Sequence, residues 1–114
     1  MPAVGRGTQD SATTGHGCDG SAKLAGPANN VFCNTKPAQR KGHPLDPTHT
    51  IPVLVTIPGV GDNPPTQELK CLPHSASISD GSGTVFVNGK GIARVGDSAD
   101  GGAISTGSSN VFAG

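Results

Sequence analysis

Residues 84–97, TVFVNGKGIARVGD, decide how this chain folds. An apolar run is followed by Asn88-Gly89 and then by a second run that is partly apolar. Asn-Gly is the strongest short signal for a hairpin, because a two-residue type I′ turn requires positive φ at both central positions. The stretch therefore predicts a β-hairpin in which Phe86 faces Gly91.

The same pattern recurs along the chain. Residues 31–43, VFCNTKPAQRKGH, match the hairpin through Val-Phe-x-Asn-x-Lys, a later Arg and then Gly. Residues 107–114, GSSNVFAG, match its beginning, and residues 3–7 repeat its Ala-Arg-Val-Gly run more weakly. Because internal repeats fix the architecture of a chain, we expect hairpin copies near 30–43 and 84–97 and a partial copy at 107–114.

The earlier hairpin copy has a less favourable turn pair, Asn34-Thr35. Thr rarely adopts positive φ, because its branched Cβ crowds the backbone. We therefore expect this turn to be of a different type from the Asn88-Gly89 turn.

The composition predicts a thin core within one domain. The chain has 114 residues, of which 32% are hydrophobic and 3% aromatic, with no Trp or Tyr. A small domain with so little apolar surface to bury usually needs a disulfide, a metal ion or a partner for stability. Cys and His residues are therefore the candidates for this stabilising role.

Charge and hydropathy exclude several classes of protein. The formal net charge is zero and the Lys and Arg residues are scattered, so we expect no nucleic-acid partner. No apolar run approaches the ~20 residues of a membrane span. Residues 1–10 lack the apolar core of a secretory signal, which predicts synthesis in the reducing cytoplasm. Three cysteines are an odd number, so at least one has a role other than pairing within the chain.

Residues 42–74 form an insertion without a repeat partner. Its seven prolines exclude a helix of any length. Residues 53–57 are a continuous and mostly β-branched run, which predicts a buried or docked strand. We expect the rest of the insertion to be loop, with at most a single helical turn at 66–70.

Cys71-Leu72-Pro73-His74 is a C-x-x-H pair that could bind a metal ion. Two intervening residues let one tight turn present both side chains to the same ion, and zinc favours this mixture of thiolate and imidazole. The pair also fits a surface histidine beside a small buried thiol. The other three histidines, His16, His43 and His49, lie on loops beside the hairpins, which favours the metal interpretation.

The same repeats carry a family resemblance. Pro37-Ala38-Gln39-Arg40 differs by one substitution from a Pro-Ala-Ala-Arg motif, and residues 91–94, Gly-Ile-Ala-Arg, occupy the equivalent place in the next copy. Together with Gly15-His16-Gly17 and the terminal GSSNVFAG, they make the chain similar to PAAR-repeat (proline-alanine-alanine-arginine) proteins. The resemblance covers nearly the whole chain and weakens between residues 43 and 70. Members cap the blunt end of a trimeric β-helical spike in bacterial type VI secretion systems and related phage tails.

The resemblance implies a fold for the single domain at 1–114. We expect a small, all-β, conical domain of short strands and hairpins with approximate threefold pseudo-symmetry, pinned by a metal ion at its tip. Such symmetry would let one chain sit on a trimeric partner and contact each subunit in a similar way. We expect this contact to use three Val-Phe pairs of the copies. They are Val31, Phe32, Val85, Phe86, Val111 and Phe112.

The resemblance also implies a metal site of three His and one Cys. His16, Cys71 and His74 match three of these ligands. The remaining ligand is His49 or His43, and we favour His49, because GHPLDPTH matches the family's Gly-Asp-Pro-Leu-x-Pro-His with one inserted residue. Four protein ligands close a zinc site, so we expect one structural Zn²⁺ per chain and no enzymatic activity.

The other two cysteines have less defined roles. Cys18, two residues from His16, competes with Cys71 as a ligand. Cys33 replaces Val87 of the repeat and is expected to be a small apolar strand residue. A Cys18–Cys33 disulfide is conceivable but not required.

We therefore expect a zinc-stabilised sharp tip that caps a trimeric spike, one chain per trimer. The spike would be a valine-glycine repeat protein or a phage central spike, and the sequence leaves the choice between secretion system and phage tail open. The tip would be delivered to the target envelope, touch the membrane transiently and help to pierce it. One alternative is an adaptor that docks effectors onto the spike. A less favoured alternative is a small zinc hydrolase that uses Glu68, the one Glu of the chain.

Overall fold

The computed structural model describes residues 1–27 and 30–114. Within these residues all regular structure is β, which confirms the predicted all-β class. The strands pair into five two-stranded antiparallel sheets, and the molecule is elongated, with extents of 62 × 22 × 22 Å. The strands are β1 (Ser11–Thr13), β2 (Ser21–Lys23), β3 (Phe32–Cys33), β4 (Lys36–Pro37), β5 (Thr50–Ile57), β6 (Thr66–Pro73), β7 (Phe86–Val87), β8 (Lys90–Gly91), β9 (Ser98–Ala99) and β10 (Gly102–Ala103). No helix that could cross a lipid bilayer occurs in this described part of the chain.

The hairpin predicted at 84–97 is present as β7 and β8. Phe86 pairs with Gly91, as the turn position requires. Asn88 and Gly89 have φ values of 50° and 82°, the positive values that a type I′ turn needs. The sequence signal and the register therefore agree.

The copied hairpin, β3 and β4, corrects one expectation. Asn34 and Thr35 have φ values of 53° and 67°, so the Asn-Thr turn has the same positive-φ pair as the Asn-Gly turn, and the prediction of a different type is wrong. Asn34 is held by tertiary hydrogen bonds: its amide nitrogen donates to Asn110 Oδ1 at 2.9 Å, and its Oδ1 accepts from the Ser108 hydroxyl. These contacts fix the turn despite the unfavourable Thr.

Three segments close a ring of backbone hydrogen bonds. Gly5 N–H donates to the Ala93 carbonyl at 2.9 Å, Ala93 N–H donates to Gln39 at 2.8 Å, and Gln39 N–H returns to Gly5 at 3.1 Å. The segments that meet here are the weak copy at 3–7 and the equivalent runs of the two hairpins, Ala38-Gln39-Arg40 and Ile92-Ala93-Arg94. A cyclic pattern from three similar segments gives the chain approximate threefold pseudo-symmetry.

An arginine follows each ring position, and two of the three make the same ion pair. Arg6 binds Asp10, with Nε 2.7 Å from the carboxylate, and the Asp10 oxygen also accepts the Arg6 backbone N–H at 2.9 Å. Arg94 and Asp97 repeat this arrangement. The second copy in chain order departs from the pattern, because His43 takes the place of the aspartate beside Arg40.

Small apolar side chains form two buried clusters. Many are alanines, consistent with the thin core expected from composition. One cluster contains Val4, Cys33, Ala38, Val87, Ile92 and Ala113. The other contains Ala12, Ala22, Leu24, Leu45, Ile78, Ala93, Ala99 and Ile104.

The insertion forms a long two-stranded ribbon from β5 and β6. Eight residue pairs, from Thr50–Pro73 to Ile57–Thr66, are in register, so the ribbon extends roughly 26 Å. The run at 53–57 is a strand, but it is largely exposed and not buried or docked, and residues 66–70 are strand and not a helical turn. Strand pairing here relies on backbone hydrogen bonds, because the ribbon offers no core to bury.

Candidate metal centre

Two connections between paired strands meet the root of the ribbon, where β5 begins and β6 ends. The β1–β2 connection carries His16, the root of the ribbon carries His49 and His74, and the β9–β10 turn carries Asp100. Backbone hydrogen bonds hold these connections together: the Gly15 N–H donates to the Asp100 carbonyl at 2.9 Å, and the His74 N–H donates to His49 at 3.1 Å. The four side chains therefore come from three parts of the pseudo-threefold body.

The four side chains converge on one point. Asp100 Oδ2 lies 2.6 Å from His16 Nε2, 2.8 Å from His49 Nε2 and 3.1 Å from His74 Nε2. The Nε2 atoms of His16 and His74 are themselves 3.1 Å apart. All four ligand atoms lie within 4.8 Å of one another, an arrangement that could hold a metal ion.

Hydrogen bonds made by the imidazole Nδ1 atoms show that the Nε2 lone pairs face the centre of the cluster. His16 Nδ1 lies 2.9 Å from the Gly17 carbonyl, and His49 Nδ1 contacts the Asp46 carbonyl. A carbonyl only accepts, so each Nδ1 carries a proton and each neutral ring presents an unprotonated Nε2 to the centre. Metal-binding histidines are typically oriented by such a hydrogen bond from the other ring nitrogen.

The electrostatics of the cluster favour a positive charge. The pKa of His16 is raised by its hydrogen bond to the Gly17 carbonyl and by Asp100, against the opposing effect of burial. Burial acts to raise the pKa of Asp100, but the hydrogen bonds from His49, His16 and His74 outweigh it and hold the pKa below its ordinary value. Protonated imidazoles or a cation would each satisfy this carboxylate.

The spacing of the donors fits a small divalent ion. Tetrahedral zinc with bonds of 2.0–2.1 Å places its ligand atoms about 3.3 Å apart. The observed separations of 2.6–3.1 Å between Asp100 Oδ2 and the three imidazole nitrogens need only a slight expansion to reach this value. Three imidazole nitrogens and one carboxylate oxygen are also a donor set that zinc accepts.

The structure brings together three of the predicted ligands and excludes two. His16, His49 and His74 meet in the cluster, whereas the alternate His43 lies buried elsewhere, its pKa lowered by burial and by Arg40. Cys71 is not a ligand, because its sulfur forms a disulfide with Cys18. This corrects the expected ligand set.

Asp100 takes the fourth position, and the sequence analysis missed it. The expected Cys ligand was carried over from the family, whereas here the carboxylate arrives from the β9–β10 turn. That turn, Asp100-Gly101, has φ values of 50° and 76°, the third positive-φ pair of this kind in the described chain. An Asp-Gly turn between short apolar segments was the available signal, but nothing in the sequence placed it beside His16.

The remaining cysteine behaves as expected of a small apolar residue. Cys33 is a free thiol, buried to 3% exposure within the Val4 cluster. A Cys18–Cys33 disulfide is excluded, because Cys18 pairs with Cys71.

The three predicted Val-Phe pairs are exposed at equivalent places. In each pair the Val carbonyl accepts a backbone hydrogen bond, at 2.9–3.0 Å, from the residue that directly precedes a member of the ring. The donors are Val4, Ala38 and Ile92. Their exposed fractions are closely similar between copies. They are Val31 37%, Phe32 57%, Val85 38%, Phe86 58%, Val111 37% and Phe112 49%.

Cross-copy contacts join the edges of these pairs. Asn88 Nδ2 donates to Asn30 Oδ1 at 3.0 Å, and Asn34 makes the equivalent bond to Asn110 at 2.9 Å. Between the remaining two copies, the Thr84 hydroxyl donates to the Gly114 carbonyl at 3.2 Å. The Val-Phe pairs thus lie on one joined surface, here called the Val-Phe face.

Glu68 is not positioned to act at the cluster. It lies on β6 and approaches Lys70, with Oε1 3.4 Å from Nζ. Five residues of extended strand lie between it and His74, which places the two about 20 Å apart along the ribbon.

Comparison of the sequence with protein-family models gives no match, and comparison with curated proteins gives no match either.

Proposed function

We propose that the chain is the metal-stabilised tip of a contractile injection machine, and that its Val-Phe face caps a trimeric spike. The observation that supports this most directly is the threefold set of exposed Val-Phe pairs above a closed backbone ring. Three large apolar pairs exposed together are costly on a free surface and are typical of an interaction site. A pseudo-threefold face on one chain matches a trimer and no other common symmetry.

The metal in this proposal is one structural Zn²⁺ per chain. His16, His49, His74 and Asp100 would hold it, and the ion would supply a positive charge that joins three segments, which are otherwise linked by hydrogen bonds and by the Cys18–Cys71 disulfide. Four protein ligands leave no open position for water, so the proposed site is structural and the chain is not an enzyme.

The ion would sit at the root of the ribbon and not at its far end. Two of the proposed ligands, His49 and His74, directly precede β5 and directly follow β6, so the ribbon extends beyond them. In the proposed function the ribbon is the first part of the chain to meet the target envelope.

Binding to the spike tests the proposal. The change Phe32→Ser, Phe86→Ser and Phe112→Ser removes the three exposed rings, and we expect binding to a trimeric β-helical spike to weaken by at least about 100-fold. The matched control is Leu54→Ser with Leu69→Ser, which removes exposed apolar side chains from the ribbon. Native mass spectrometry should show one chain per trimer.

Two results would contradict the capping proposal. One is equal binding by the Val-Phe variant and the ribbon variant. The other is a complex with three copies of the chain per trimer.

The ribbon favours one second candidate, an adaptor that docks effectors onto the spike. Its exposed apolar side chains include Leu54, Leu69 and Val60, which is 78% exposed. If the chain is an adaptor, an effector should be captured by the full chain and lost when residues 53–70 are replaced by a short turn. Spike binding should be unaffected by that replacement.

A further inference from the structure

The disulfide joins the two segments that carry half of the proposed metal ligands. Cys18 lies two residues after His16, and Cys71 lies three residues before His74. The bond links parts of the chain that are 53 residues apart in sequence. Its presence therefore fixes the β1–β2 connection against the root of the ribbon, next to the cluster.

Apart from the disulfide, hydrogen bonds hold the β1–β2 connection in this place, and two of them join backbone groups, Gly15 N–H to the Asp100 carbonyl at 2.9 Å and Asp19 N–H to the Thr50 carbonyl at 3.3 Å. Asp19 accepts hydrogen bonds from the Thr50 backbone N–H at 2.7 Å and from its hydroxyl at 3.0 Å, and the Thr14 hydroxyl donates to the Asp19 carbonyl. These three bonds made by side chains are exposed, so each contributes little. The side chains of residues 17–20 are exposed as well, so packing does not compensate.

His16 depends on this connection for its position. Its Nε2 atom must stay within about 3 Å of both Asp100 and His74 to complete the set, and neither contact is a backbone bond. Metal affinity is highest when all ligands are held in place before the ion arrives, because the ordering cost is then already met. The disulfide provides that ordering for His16 and His74 together.

We propose that the Cys18–Cys71 disulfide controls the metal affinity of the cluster, so that the oxidised chain binds Zn²⁺ more tightly than the dithiol chain. The inference rests on the proposed metal site. Both cysteines are exposed, so a soluble reductant can reach the bond. By linkage, Zn²⁺ must in turn stabilise the disulfide against reduction by the same factor.

The redox step is a two-electron reduction. A water-soluble trialkylphosphine breaks the sulfur–sulfur bond and is oxidised to the phosphine oxide. The oxygen comes from one water molecule, whose two protons end on the Cys18 and Cys71 thiols. Phosphine is preferred to a dithiol in the zinc measurements, because dithiols bind zinc themselves.

Zinc titration against a chromogenic chelator compares the oxidised chain, the phosphine-reduced chain and the variant Cys18→Ser with Cys71→Ser. We expect the reduced chain and the double variant to bind Zn²⁺ at least about fivefold more weakly than the oxidised chain. The matched control is Cys33→Val, the residue found at the equivalent place in the later hairpin. It should keep the full difference between oxidised and reduced forms.

A second measurement does not depend on how the double variant folds. Wild-type chain is equilibrated in glutathione buffers with free Zn²⁺ held at zero or at saturation, and the thiols are then alkylated and counted by mass. Zn²⁺ should shift the equilibrium toward the disulfide at least about fivefold, and His74→Ala should abolish this shift.

The outcomes separate this inference from the proposed function. Absence of zinc binding in the oxidised chain would overturn both. Equal affinity in the oxidised, reduced and double-variant chains would overturn the coupling and leave the metal site in place. Tighter binding by the reduced chain would also overturn it, because the thiolates would then be acting as ligands.

Discussion

His16 Nε2 and His74 Nε2 lie 3.1 Å apart, closer than two unprotonated imidazole nitrogens can remain without a shared proton or a cation. His16 has its proton on the opposite nitrogen, where it faces the Gly17 carbonyl. Either one imidazole is protonated at Nε2 and donates to the other, or a metal ion binds both.

Metal removal should destabilise the chain strongly. An ion that binds only the folded state adds about 4 kcal/mol to the free energy of unfolding when its concentration is 1,000 times the Kd. We therefore expect one zinc per chain by elemental analysis, and a large fall in Tm in the presence of a chelator. Single changes of His16, His49 or His74 to Ala, and Asp100→Asn, should each reduce zinc content.

His43 supplies the control for that experiment, because it is a histidine outside the cluster. His43→Asn should keep one zinc per chain. Full thermal stability of the native chain in chelator would contradict a structural role for the ion.

The pH dependence of stability should reverse when metal binds. In the metal-free chain His16 has a raised pKa, so its contribution is complete below about pH 6.5 and is lost as the pH rises through its folded value. Asp100 has a lowered pKa, so its contribution is present above about pH 3.9 and is lost as the pH falls through its folded value. The cluster thus stabilises the metal-free chain most between these limits.

The metal-loaded chain should show the opposite trend near neutrality. Zinc requires unprotonated imidazoles, so the stability that it adds grows as the pH rises from about 6 to 8. Urea unfolding at several pH values, with and without Zn²⁺, gives both curves. Parallel curves would indicate that the histidines do not bind the ion.

The second copy of the Arg-Asp pair is broken, and repairing it should stabilise the fold. His43 occupies the place that Asp10 and Asp97 have in the other copies. Its backbone N–H donates to the Arg40 carbonyl at 3.0 Å, just as the N–H groups of Asp10 and Asp97 donate to the carbonyls of Arg6 and Arg94. In the described residues, Arg40 Nε and His43 Nδ1 are buried without a hydrogen-bond partner.

The change His43→Asp should give Arg40 its carboxylate and raise the free energy of unfolding by about 1.5–3 kcal/mol, the usual contribution of a charged hydrogen bond. His43→Asn has a similar shape but no charge and should gain less. Urea unfolding measures both. An Asp variant no more stable than the Asn variant would show that the pair contributes nothing at this place.

The two equivalent turns allow a paired test of backbone strain. Thr35 and Gly89 occupy the same position of equivalent turns, with φ values of 67° and 82°. A β-branched residue at positive φ costs on the order of 1–3 kcal/mol, so Thr35→Gly should stabilise the chain by about 1 kcal/mol after the greater entropy of unfolded glycine is counted. The converse change, Gly89→Thr, should destabilise it. Thermal or urea unfolding measures both changes in stability. The strain explanation requires them to have opposite signs.

Local patterns predicted much of the fold, because hairpins are encoded by neighbouring residues. Asn88-Gly89 gave the register of β7 and β8, and the copied Val-Phe pairs predicted an equivalent set that the structure places on one exposed surface. The Asn34-Thr35 turn was predicted wrongly, since its conformation is imposed by contacts with Ser108 and Asn110, far away in sequence.

The candidate metal-binding cluster was only partly predictable, because it too depends on contacts between segments that are far apart in sequence. His16, His49 and His74 could be selected through the resemblance to PAAR-repeat proteins, and their places on loops beside the hairpins favoured the same choice. Asp100 could not, since one aspartate among several on polar turns has no local mark of its position. Whether Cys71 is bound to a metal or to Cys18 depends on which group lies nearer in the fold, and sequence spacing does not give that distance.

The ring that joins Gly5, Gln39 and Ala93 has a consequence for how the chain acquires its structure. Its three members are spread over most of the polypeptide, so no contiguous fragment that lacks one of them can complete it. A nascent chain emerging from a ribosome would remain open until residue 93 is available. Assembly must then occur in one late, cooperative step that is slowed by the long sequence separations it has to close.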